Sequence, residues 1–198
     1  MIGLGDLAIG RYDRLGVSLL LPSHVASARV IYDSCIRAAE ASDCSKMKFG
    51  AVLVPSHPHS SGLGCLASCN RRMPPLAYLC EETCIRMTMQ SRTDGLIGAC
   101  AHAEEQVLWA AKSLGYDLRD AALYVGGFDP RSLGKAWRST RRWTCLRCAI
   151  AMWHSGIAKV MVPVTAPDTH NGWQWEGILI PDAMRDAVDF AMGKATGE

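Results

Sequence analysis

Two short segments carry residue types that could handle a metal ion and a proton together: His102-Ala103-Glu104 and Cys145-Leu146-Arg147-Cys148. One imidazole and two thiolates make a three-ligand set for zinc, and the fourth tetrahedral position stays open for water. A structural zinc normally fills that position with a fourth side chain, so a count of three points to catalysis. Zinc lowers the pKa of its water from 15.7 to about 7. Glu104 is then the expected proton carrier, taking the water's proton and returning it later in the reaction. The chemistry expected of such a set is hydrolytic.

Both segments open predicted helices, and that placement matters. Cysteines at i and i+3 share one helix face, and at the first turn the peptide dipole favours their thiolate forms. His102 and Glu104 would diverge in a helix interior, but at a helix start both reach a group near the axis. Helical periodicity runs over Ala101–Leu114, and a helix over Cys145–Ser155 is closed by Gly156 as its C′ residue. Upstream, Ser23 reads as the N-cap of a helix over His24–Ala41. Phe49–Val54 and Gly64–Cys69 flank a turn-rich connection and predict a β-hairpin. Leu76–Gln90 fits either a helix or an ordered insertion. Ala121–Val125 predicts a strand stopped by Gly126-Gly127, Ala158–Val164 predicts another, and Pro181–Met192 a last helix with proline near its first turn. The order is helix, hairpin, helix, strand, helix, strand, helix, which means an α/β layered domain with helices on a mixed sheet.

Bulk properties narrow the setting. The chain has 198 residues, with 49% hydrophobic and 20% charged, an ordinary globular composition that argues against intrinsic disorder. A net charge of +2 gives no bulk attraction for nucleic acid or a membrane surface. No apolar run approaches the roughly 18 residues of a membrane span, and the start lacks the pattern of a secretory signal. Nine cysteines, an odd number, make a poor disulfide framework. A reducing, cytoplasmic compartment is expected, with thiols that are buried, metal-bound or catalytic.

With these features in order, the chain resembles the zinc-dependent cytidine and deoxycytidylate deaminase superfamily over roughly residues 28–164. The resemblance rests on Lys48-Phe-Gly-Ala-Val-Leu-Val54, Asn70, Cys100-Ala-His-Ala-Glu-Glu105, Ala122-Leu-Tyr-Val125, Cys145–Cys148 and Ser155-Gly-Ile-Ala-Lys-Val160. It is most similar to the deoxycytidylate (dCMP) deaminase branch. The resemblance implies a three-layer α/β/α fold, a central mixed five-stranded sheet flanked by helices. It implies one catalytic zinc on His102, Cys145 and Cys148, Glu104 as proton shuttle, Asn70 against the sugar and the Ala103 backbone on the base. It implies conversion of dCMP to dUMP with release of ammonia, a small-molecule nucleotide partner and a homo-oligomer. Three rivals are a deaminase of single-stranded DNA cytosine or RNA adenine, one acting on another free base or modified nucleotide, and an inactive zinc-stabilised assembly subunit. The low aromatic content of 7% and the small net charge do not favour a polynucleotide.

Two departures from the family pattern stand out. Thr144 replaces the usual proline before the first cysteine, and its hydroxyl is expected to cap the helix instead. A basic insertion at about Phe128–Thr144 replaces a short connection and brings Arg138, Arg141 and Arg142 next to the cysteine helix. Those three, with Arg71 and Arg72 beside Asn70, are the candidate phosphate contacts, the alternative being solvated loop charges. Cys80 and Cys84, with Cys65, Cys69, Cys100, His57 and His59, offer donors for a second, structural zinc, the alternative being that they fill core space. Trp173-Gln-Trp175 reads as packing ahead of a stacking or oligomer surface. The organisation expected is an N-terminal extension over 1–22 and a deaminase domain over 23–198 ending in a C-terminal helix.

Overall fold

The computed structural model describes residues 18–19, 27–56, 64–81, 83–87, 100–132, 135–139 and 143–192. Helix α1 (Ala28–Glu40) starts at Ser27, whose hydroxyl accepts the Val30 amide hydrogen at 3.3 Å. The cap is therefore Ser27, four residues beyond the Ser23 suggested by periodicity. The predicted hairpin forms from β2 (Lys48–Val54) and β3 (Leu66–Cys69), antiparallel with Ala51 opposite Ser68. A two-residue strand β1 (Ser18–Leu19) adds to the outer edge of β3. Arg71–Arg72 (β4) pairs with Cys100–Ala101 (β5) in a separate two-stranded sheet, and helix α2 (Ala103–Ser113) follows directly. Between them, two short 3-10 helices, Pro74–Cys80 and Ile85–Met87, stand where sequence left a helix or an insertion open.

Five longer strands make the central sheet, in the order β3-β2-β6-β8-β9, with β6 (Ala122–Asp129), β8 (Lys159–Thr165) and β9 (Trp173–Leu179). β6 and β8 are parallel and the other neighbours antiparallel, so the sheet is mixed. The short β7 (Lys135–Ala136) pairs with the end of β6. Helix α3 (Leu146–Ser155) provides the β6-to-β8 crossover, and α4 (Ile180–Ala191) follows β9. The alternation of side chains across a strand builds two cores. Ala51 and Leu53 face α2, α3 and α4 with Leu66, Leu123, Val107, Met152 and Ile180, whereas Val52, Cys65 and Ala67 face Ile31, Cys35 and Ala38 of α1. Helices thus cover both faces, the three-layer architecture expected. None of them is long and apolar enough to cross a membrane.

The glycines of β6 correct one expectation. The strand does not stop at Gly126-Gly127 but runs through them to Asp129. Both are there for close approach. A Cβ on Gly126 would sit 3.1 Å from the Cys35 Cβ of α1, and one on Gly127 would sit 2.2 Å from the Lys48 carbonyl oxygen. Gly50 on β2 is tighter still, its Cβ falling 2.0 Å from the Cys35 carbonyl oxygen. Gly50→Ala must push α1 off the sheet. Overpacking of this kind costs typically about 1–3 kcal/mol, and at this chain length each kcal/mol lowers Tm by about 2–4 °C. A thermal melt of the variant should therefore fall several degrees below that of the parent.

Candidate metal centre and its pocket

His102 is the N-cap of α2, with extended backbone (φ −77°, ψ 157°), and Cys145 is the N-cap of α3 with nearly the same conformation (φ −83°, ψ 156°). Two helix starts thus converge on one point, each aiming the positive end of its dipole at it. His102 Nδ1 lies 3.2 Å from Cys148 Sγ and 3.3 Å from Cys145 Sγ. The Cys148 amide donates to Cys145 Sγ at 3.4 Å. Among the described residues these three form the one group of metal-type donors close enough to share an ion. Zinc bonds of about 2.0–2.1 Å to nitrogen and 2.3 Å to sulfur at a tetrahedral angle place N and S about 3.6 Å apart. The donor set matches that in both type and spacing, so zinc fits.

Proton affinities within the triad diverge. The hydrogen bond with Cys148 is the main cause pulling the Cys145 thiol down to about 3; burial opposes it and His102 adds to it. Burial and the hydrogen bond to Cys145 push the Cys148 thiol well up. Burial works to lower the imidazole, but the hydrogen bond with Cys145 and the charges of Glu104 and Cys145 outweigh it and raise His102. Zinc ligation requires the deprotonated forms, so binding releases protons.

The pocket beside the triad holds about 410 Å³. Phe49, Trp137 and Trp143 supply aromatic walls, with the Phe49 and Trp137 rings edge to face at 5.1 Å. Glu104 is 8% exposed, and burial raises its carboxyl above the ordinary range, partly offset by the His102 charge. The Thr144 hydroxyl donates to Glu104 Oε1 at 3.1 Å. This departs from the expectation that Thr144 caps α3. Cys145 takes the cap, and the hydroxyl is left for the carboxylate.

The other candidates divide. Asn70 and Ala103 line the pocket. The Asn70 amide is largely used inside the protein: Oδ1 accepts from Ser42 Oγ at 2.8 Å and the Phe49 amide at 2.7 Å, and Nδ2 donates to the Met47 carbonyl at 2.9 Å. Among the described residues one N–H of the amide has no partner. Arg71, Arg72 and Arg138 do not line the pocket. Arg72 donates to the Cys80 carbonyl at 3.1 Å and pairs with Asp43 at 3.3 Å, while Arg71 sits opposite Ala101 with a buried Nε that has no partner among the described residues. Arg138 donates to the Tyr32 hydroxyl at 2.8 Å and lies over the rings of Tyr32 and Trp173, on the α1 side of the sheet. Its neighbours Trp137 and Ser139 face the pocket, as strand alternation dictates. Arg141, Arg142, His57 and His59 lie outside the described residues. Cys65, Cys69, Cys80, Cys84 and Cys100 are buried, and no second donor cluster forms among the described residues.

Sequence reasoning missed several residues. Glu105 accepts from the His102 amide at 2.9 Å and from Arg147 Nη2 at 2.6 Å, and Arg147 Nη2 also donates to the Cys100 carbonyl at 2.8 Å. A glutamate three positions after the helix cap was the available signal. Lys46, Ser139 and Phe190 also line the pocket. Phe190 arrives from the last helix, so no local pattern announces it.

The sequence model of a family described as the cytidine and deoxycytidylate deaminase zinc-binding region matches residues 27–164. No curated protein sequence matches the chain. A solved structure, the 1.6 Å crystal structure of cytidine deaminase from Burkholderia pseudomallei, is similar with a TM-score of 0.49 at 18% identity. That match covers 80% of this chain and 96% of the other.

The clamp built by Arg147 gives a direct test. Groups that orient metal ligands typically contribute about 10–100-fold in metal affinity. Arg147→Ala should weaken zinc binding by that factor, read by competition with a chromophoric chelator, while Arg72→Ala should leave it unchanged.

Proposed function

Because the chain belongs to the cytidine and deoxycytidylate deaminase family and carries its zinc ligand set, it is a zinc-dependent deaminase, and we propose a free pyrimidine deoxynucleotide as its substrate, dCMP going to dUMP and ammonia. The observation that supports this most is the placement of the buried Glu104 carboxyl in one 410 Å³ pocket with the ligand triad and three aromatic rings. A volume of that order suits a single nucleoside-sized molecule.

His102, Cys145 and Cys148 hold the zinc. When bound, it supplies Lewis acidity that makes water a competent nucleophile near neutral pH. The remaining work falls to the chain's own residues. Phe49, Trp137 and Trp143 receive the flat ring and exclude water from its faces. The remaining N–H of Asn70 meets the sugar, and the Ala103 backbone meets the base. Glu104 takes a proton from the attacking water as the C4–O bond forms, and gives a proton to N3. A further proton passes through Glu104 to the exocyclic nitrogen, the C4–N bond breaks, and ammonia leaves a keto product. A carboxyl raised by burial is suited to both halves of that cycle.

Phosphate recognition divides two readings. Lys46 on the pocket lining supports a monophosphate. The engagement of Arg72 with Asp43 and of Arg138 with Tyr32 favours a bare nucleoside as the second reading. Ammonia release from deoxycytidine, dCMP and a single-stranded oligonucleotide, each at two salt concentrations, separates them. The proposal expects the highest kcat/KM on dCMP. A preference for deoxycytidine selects the second reading, and steeply salt-dependent activity on the oligonucleotide selects a polynucleotide enzyme.

Two variants test the residue roles. Glu104→Gln should keep zinc and lose kcat by about 10²–10⁴-fold or more, because one carboxyl serves several proton transfers. Trp137→Ala should raise KM by about 5- to 100-fold, the range of a lost base-stacking contact.

A further inference from the structure

Thr144 directly precedes the metal ligand Cys145, is 6% exposed, and lines the same pocket as Glu104. Its hydroxyl donates to Glu104 Oε1 at 3.1 Å in a buried setting. The α3 start does not need that hydroxyl, since Cys145 Sγ already accepts the Cys148 amide hydrogen. Glu104 reaches the pocket from the first turn of α2, through side-chain torsions that a lone glutamate would sample freely. Its neighbour Glu105 is fixed by two strong hydrogen bonds, whereas among the described residues the Glu104 carboxylate takes its side-chain hydrogen bond from Thr144.

We propose that Thr144 is a positioning residue for Glu104, holding Oε1 so that Oε2 is the oxygen presented to the reacting water and base. This rests on the reading of Glu104 as the proton carrier. Proline, which family members usually have at this position, has no hydroxyl and cannot serve in this way. In this chain the residue before the first cysteine thus acts across the pocket on α2.

The test uses the zinc-loaded full chain. Thr144→Val keeps the shape and removes the hydroxyl, and Thr144→Ser keeps the hydroxyl and loses a methyl. Thr144→Val should lower kcat by about 10- to 100-fold, the range of a hydrogen bond to a charged group. KM and zinc content should stay near those of the parent, and nucleoside affinity should be unchanged when followed by tryptophan fluorescence. Thr144→Ser should restore most of kcat. In the Glu104→Gln background the valine change should cost little more, because its effect runs through the carboxylate. Should the valine variant fold poorly, Thr144→Ser against Thr144→Ala supplies the same comparison. Parental kcat in Thr144→Val, or a loss that serine does not recover, overturns the proposal. If Glu104→Gln itself turns over normally, the fault lies in the reading of Glu104 and not in Thr144 alone.

Discussion

Glu105 Oε2 receives two hydrogen bonds, from the His102 amide at 2.9 Å and from Arg147 Nη2 at 2.6 Å, and so ties the start of one helix to the start of the next. Arg147 reaches further, to the Cys100 carbonyl on the strand before α2. A buried carboxylate without partners would be costly, and here both partners come from the segments that carry the metal ligands. The clamp therefore serves two ends at once. It satisfies its own charges, and it fixes how the His102 ring approaches the two sulfurs. It also brings a guanidinium beside two thiol ligands, which tempers the negative charge gathered there by Glu104 and Glu105. The core of α2, α3 and the sheet can pack in its own way, but the ligand triad depends on this contact.

The second constraint is alternation along an extended segment. Ala136 pairs with Phe128, the Trp137 amide donates to the Gly127 carbonyl at 2.7 Å, and the Ser139 amide donates to the Pro163 carbonyl at 2.9 Å. The inserted stretch thus lies alongside the last residues of β6 and reaches β8. Its side chains must alternate, so Trp137 and Ser139 enter the pocket while Arg138 crosses to the aromatic cluster of Tyr32, Tyr124, Trp173 and Trp175. Arg138 acts there as an anchor: its guanidinium over two rings holds the backbone that presents Trp137.

The ligand set was legible because coordination chemistry demands those residue types and helix geometry demands their spacing. The helix closed by Gly156 was legible for a similar reason, since its φ of 81° suits glycine above all other residues. Features set by distant partners were not. Gly126-Gly127 carry the same letters whether a turn follows or a helix packs close, and here Cys35 of α1 decides it. Strand β9 escaped because only its first residue, Trp173, is buried, leaving little periodic contrast. Its tryptophans were expected to pack, and they do: Trp173 on Tyr32 at 4.3 Å, and Trp175 on Tyr124 at 5.0 Å. The fate of Arg138 was hidden for the same reason, because the pairing that fixes its direction comes from residues far along the chain.

His102 lies 43 residues from Cys145, while the two cysteines are three apart and belong to one helical turn. In an unfolded chain the cysteine pair is a local chelate that needs no tertiary structure, and the imidazole is a distant group that must close a long loop to join it. The thiols alone discriminate weakly between unfolded and folded chain. The imidazole, assembled only when β5, α2 and α3 have docked, supplies the preference for the native state. Zinc is thus linked to folding through its single nitrogen ligand, and that ligand sets how strongly metal concentration governs the fraction of chain that is folded.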